Sequence, residues 1–168
     1  KDSGHHTSRC ILAKSLEITD TLTDGLKKLA KENPDLARKG LGQAGLRMIA
    51  DFVNEAPAMP LKEGFLRGSG AVFVEAKKVA DSKTIGQTKG KPPSSNPDSE
   101  PLTTTVVFDT PYAARMDQDL DPKGGLQLGP MSRQAGNVGG GFISKKVASK
   151  KYQSIWAEII ANVLKSKY

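Results

Sequence analysis

Apolar positions along this chain switch between a helical and a strand-like period, and each switch marks an element. Over 16–32, Ile18, Leu22, Leu26 and Leu29 form a helical stripe that Asn33-Pro34 stops. Asn33 or Asp35 then supplies a start signal, because a short acceptor side chain can satisfy the first free amides of a helix. The segment 34–55 holds the cleanest pattern: Leu41, Ala44, Gly45, Met48, Ile49, Phe52 and Val53 follow i, i+3, i+4, i+7. Gly40, Gly42 and Gly45 each weaken intrinsic helicity by roughly 1 kcal/mol, so packing must hold this helix. The same glycines would admit a second backbone at close range or a bend near Gly40. Met48 and Phe52 are expected in the core.

After a proline-punctuated loop at 56–61, the segment 66–78 contains a strand whose surest part is Ala71-Val72-Phe73-Val74. Gly68 and Gly70 beside it suggest a bulge or a place where another chain lies close. A second strand is expected over 102–108, where Thr103, Thr105, Val106, Val107 and Phe108 cluster. Asp109-Thr110-Pro111 ends it, since proline cannot donate to a ladder and pushes Thr110 into an extended conformation. Tyr112, Ala113 and Ala114 follow as a turn or short helix, with the ring expected to pack back on the sheet. The last element, 142–165, is a helix interrupted near Ser149, with Tyr152, Ile155, Trp156, Ile159, Ile160 and Val163 on its buried side.

Between these elements lie stretches without periodicity. Residues 1–15 are expected as a flexible arm, and 81–100 as a polar, flexible insertion projecting from a hairpin whose second strand is 102–108. The segment 117–141 is a loop with seven glycines and two prolines. Asp117, Asp119 and Asp121 alternate as in a calcium loop, but the central glycine and terminal glutamate are missing. Gly139-Gly140-Gly141 lacks the Gly-Lys-Ser/Thr ending of a phosphate loop. His5 and His6 are adjacent on the arm with no acid cluster to complete a metal site. No metal and no cofactor are expected.

The 168 residues suit one domain with an arm. Cys10 is alone, which excludes an internal disulfide or a four-cysteine zinc site and suits a reducing compartment. No apolar run has membrane-spanning length, and residues 1–10 lack the apolar stretch of a signal peptide. Net charge is +7. Its excess sits late: 141–168 carries six lysines against Glu158 alone. Lys145, Lys146, Lys150 and Lys151 crowd the start of the last helix, where positive charge opposes the macrodipole; an external anion would compensate it, and screening by salt is the alternative. No serine or cysteine sits beside a base and no carboxylate pair is placed for proton transfer, so no catalytic residue is assigned.

Three short segments together carry a resemblance: Gly64-Phe65-Leu66-Arg67-Gly68-Ser69, Pro111-Tyr112-Ala113 and Gly141-Phe142-Ile143. In order and spacing they resemble the tail-completion and neck proteins of long-tailed bacteriophages, over roughly residues 36–164. That family shows a helix, a proline loop with a G-x-LR-x-S run entering a strand, a strand ending in PYA, and a glycine-rich loop before the last helix. Many relatives carry a histidine and an acid soon after the tyrosine. This chain has Arg115, Met116, Asp117, Gln118 and Asp119 there, and its long 77–101 insertion is more polar than a tight hairpin needs.

The combined expectation is a single α+β domain over 16–168. A small, mainly antiparallel sheet has the strands around Val72 and Val106 at its centre and is covered by an N-terminal helical pair and a long C-terminal helix, near Ala50 and Ile159. The resemblance implies a non-enzymatic virion subunit, assembled in a host cytoplasm. It would form a homo-oligomeric ring of the hexameric kind around a DNA channel, between a head connector or stopper and a tail terminator or tail tube. Arg67, Tyr112 and Arg115 are expected near subunit contacts, and Lys145, Lys146, Lys150 and Lys151 near DNA or an acidic neighbour. A solvated Arg67 is the plainer alternative. The alternative roles are a tail terminator or minor tail protein and, in another class, a basic nucleic-acid-binding accessory protein. The latter lacks aromatic residues interleaved with its lysines.

Overall fold

The computed structural model describes residues 28, 30–61, 63–93, 101–118 and 127–166. The expected arm, most of the first helix, His5, His6, Cys10, Asp119 and Asp121 lie outside them, as do 94–100 of the insertion. Residues 28 and 30–32 are helical, and Asn33 breaks the helix before α1, Pro34–Asn54. Proline at the first helical position has no amide to leave unpaired. The Asn33 side chain does not cap the helix.

The helix α1 is the middle layer of the molecule. Below it lies a sheet of β1 (Gly70–Val74), β2 (Lys77–Asp81) and β3 (Thr104–Phe108), all antiparallel, in the order β2-β1-β3. Above it lies α6, Lys150–Lys165, which packs chiefly on α1. The glycines of α1 make both approaches possible. A Cβ on Gly45 would lie 2.4 Å from Val72 Cγ1, and one on Gly40 would lie 3.2 Å from the Ile160 Cα. Phe52 bridges the layers, its ring 5.8 Å from Trp156 above and 6.3 Å from Phe108 below. The fold is therefore α+β, with the sheet covered by α1 and α6 stacked outside it; the C-terminal helix covers the sheet at second hand.

Two expectations about the strands change. Only β1 is central, while β3, holding Val106, is an edge. The hairpin partner that immediately follows β1 is β2, at the start of the 77–101 stretch, and not the expected 102–108. Its turn is Glu75-Ala76, both with positive φ (48° and 74°), conformations that usually select Asn or Gly. Side-chain bonds hold it: Glu75 Oε2 accepts from Arg38 Nε at 2.6 Å and Oε1 from the Leu102 amide at 2.9 Å. The remaining described part of the insertion is packed rather than projecting. A 3-10 turn at Ser82–Ile85 follows β2, Pro92 and Pro93 are buried, and the Lys89 carbonyl lies where a Cβ on Gly68 would be, 1.3 Å away.

Four short helices complete the described chain: α2 (Phe65–Gly68), α3 (Ala113–Gln118), α4 (Pro130–Ala135) and α5 (Ser144–Ala148). Ser149, with ψ 121°, separates α5 from α6 where the interruption is expected. No helix among the described residues is long and apolar enough to cross a membrane.

Candidate functional site

Main-chain and side-chain bonds tie the segments that carry the sequence resemblance to the residues around them. The loop 55–61 leaves α1 through a cis Ala56-Pro57 bond and then exposes carbonyls that α1 itself cannot satisfy. Arg67, in α2, donates from Nε and Nη2 to the Met59 carbonyl at 3.0 and 2.6 Å. Ser69 accepts from the Asp109 amide at 3.2 Å, which links the first segment to the end of β3. Asp117, in α3, accepts from Gly141 N on its carbonyl, from Ile143 N on Oδ1 at 2.7 Å and from Ser144 N on Oδ2 at 3.2 Å. The loop also pairs with 137–139: the Ala58 amide donates to Asn137 O, and Gly139 N donates to Ala58 O. From α4, Ser132 Oγ accepts from the Leu61 amide at 2.8 Å.

At the centre of this corner stands Lys146. It is 1% exposed, and its ammonium donates to the carbonyls of Asp51, Glu55 and Pro57 at 2.7, 2.7 and 2.8 Å. An ammonium has three N–H groups, and each has an acceptor. The two aspartates, Asp51 and Asp117, are as fully used. Asp51 is buried, with Oδ1 accepting from Arg47 Nε at 2.7 Å and Oδ2 from Trp156 Nε1 at 2.8 Å. Burial pulls the Lys146 ammonium down to about 8, against the opposing pull of Asp51, Glu55 and Asp117. The three carbonyl acceptors favour the charged form as well.

This chemistry is that of a strut. A deprotonated Lys146 would be a nucleophile, but the residue is buried and its nitrogen is held by three carbonyls. Neither carboxylate has an oxygen free of a donor. Among the described residues, no three His, Cys, Asp or Glu side chains are grouped to hold a metal. Asp117, the one described member of the alternating aspartates, turns its carboxylate to the amides of Ile143 and Ser144.

The expected site residues separate in space. Lys146 does not face DNA or a neighbour, because the backbone carbonyls at the end of α1 hold it inside. Lys145, Lys150 and Lys151 are exposed, and Lys151 lies over the Tyr152 ring at 5.5 Å. Arg67 is not simply solvated: it is half-buried on the Met59 carbonyl, and burial holds its guanidinium below its ordinary value. Tyr112 does not pack its ring into the sheet and remains 43% exposed, with exposed Arg115 on the next turn. Beside it, Thr110 Oγ1 is buried without a hydrogen-bond partner.

Sequence reasoning missed the Asp51, Trp156 and Lys146 constellation. One signal was present: Asp51 lies on the apolar stripe between Met48, Ile49, Phe52 and Val53, where a carboxylate demands a donor. Its partners come from far along the chain, and nothing local announces them. Compared with protein-family models, curated proteins and solved structures, the chain matches none.

Proposed function

We propose that this chain is a structural subunit of a tailed-bacteriophage neck, one of the copies forming a ring that completes the tail end and joins it to the head connector around DNA. The order of the three sequence segments supports this reading, and so does the use of Arg67, Asp117 and Lys146 as internal ties to backbone groups. The observation that carries it is at the exit of β3. There Tyr112 stands exposed on a tightly bonded turn, beside a Thr110 hydroxyl buried without a partner. An exposed aromatic on a rigid support is the kind of group that anchors protein interfaces, and an unmet buried hydroxyl asks for an acceptor or donor from elsewhere. Lys145, Lys150 and Lys151 are the cations left for DNA or an acidic neighbour, one fewer than the sequence offers.

The test is sedimentation of the full chain over a concentration series, beside Tyr112→Arg. The expected result is a closed assembly for the parent chain and monomers for the variant, with unchanged circular dichroism. A parent chain that stays monomeric at every concentration, or a Tyr112→Arg chain that assembles equally well, overturns the reading.

A further inference from the structure

On the other side of α1 from this corner's carbonyl cage, an open groove of about 690 Å³ runs between the exposed side of α1 and β2. Gly42 and Leu46 of α1 and Val79 and Ala80 of β2 give it an apolar floor, while Lys39 and Lys77 stand on its rim. The register of β1 and β2 explains why Val79 is there. Val72 faces Ala80 and Phe73 faces Lys78, so Val79 is the extra residue of a bulge and remains 47% exposed. Bulges re-aim side chains in this way. Arg38 is already paired with Glu75 and Asp35. Lys39 and Lys77 enter no ion pair among the described residues, so the rim carries uncompensated positive charge. Lys77 and Lys78 together with the bulge discourage pairing of another strand along β2. The groove is therefore shaped for a side-chain tip.

The chain itself carries such a tip. Glu63 and Gly64 both take left-handed backbone (φ 55° and 81°), a sharp turn that leaves Glu63 exposed and the following Phe65 48% exposed. Glu63 has no ion-pair partner among the described residues. Neither Glu63 nor Phe65 lines its own subunit's groove. A carboxylate beside an exposed aromatic complements two unpaired lysines beside an apolar floor, in charge and in polarity.

We propose that the groove between α1 and β2 receives the 63–65 turn of a second copy of this chain, with Phe65 on the apolar floor and Glu63 between Lys39 and Lys77. This rests on the ring reading and deepens it: two different patches meeting make a head-to-tail contact, the kind that closes into a ring when the rotation allows.

Sedimentation of the full chain tests it with three samples. Glu63→Lys, and Lys39→Glu with Lys77→Glu, each weaken self-association by on the order of tenfold, and a mixture of the two variants restores it. A second readout needs no loss of assembly. In a Cys10→Ser background, Phe65→Cys and Val79→Cys copies are mixed under mild oxidation, and a mixed-disulfide dimer is expected. If the parent chain assembles while the charge variants assemble equally well and no mixed disulfide forms, this contact is wrong and the ring reading stands. If the parent chain is monomeric throughout, both fall.

Discussion

The two ends of α1 are built on opposite terms. At its C-terminal end, Lys146 reaches across from α5 to three carbonyls, Asp51 receives Arg47 and Trp156, and both sides of each bond are occupied. The helix has no basic residue in its own last turn, so the charge that complements its dipole and its free carbonyls comes from ninety-five residues away. Toward its N-terminal end, along Lys39, Gly42 and Leu46, the same helix faces an open groove whose lysines, Lys39 and Lys77, enter no ion pair among the described residues. A buried ammonium is tolerated only when every proton has an acceptor, whereas an exposed one costs little and stays available. The difference teaches that lysine count and position on a helix start say little about function. Lys146 and Lys145 are neighbours in sequence, yet one is an internal strut and the other a surface charge.

The largest effect expected from this contrast is at Lys146. Lys146→Met keeps much of the volume but leaves three carbonyls without their donor, and we expect a loss of about 1–3 kcal/mol in denaturant unfolding. The same change at Lys145 or Lys150 is expected to stay within about 0.5 kcal/mol. Equal losses at all three would erase the distinction between strut and surface.

A smaller effect sharpens the contrast through pH. The Lys146 ammonium is lowered from 10.5 to about 8, so above pH 8 the unfolded chain holds this proton longer than the folded one. The unfolded state then binds more protons, and stability rises with pH from this group. The window runs from about 8 up to 10. Beyond it, Tyr152, raised above its ordinary 10.0 by burial and then by Glu55 and Asp51, adds the opposite slope, because the unfolded phenol ionises first. Urea midpoints across this range should show the rise in the parent chain, and Lys146→Met should remove it.

Much of the fold was legible from local signals. Asn33-Pro34 sets the start of α1, the apolar stripe sets its length, β1 and β3 stand out by β-branched residues, and Ser149 marks the break before α6. The strand β2 was not legible, for two physical reasons. Lys77, Lys78 and Val79 are exposed on an edge, so burial imposes no alternation, and its Glu75-Ala76 turn is held by Arg38 and the Leu102 amide in place of the usual turn residues. The site was legible as a set of segments but not as a set of roles. Arg67 and Lys146 look like surface cations in sequence, and only carbonyls released at the end of α1 and in the following loop give them internal work. Tyr112 erred the other way, an aromatic beside a strand that stays outside.

Hydrogen exchange on the full chain, compared between dilute and self-associated samples, tests the division most directly. Amides of 77–81 and around 110–115 are expected to slow on association, while those of 51–55 and 143–146 are already protected and do not change. Exchange that changes at the Lys146 corner and stays constant along β2 and beside Tyr112 would contradict it.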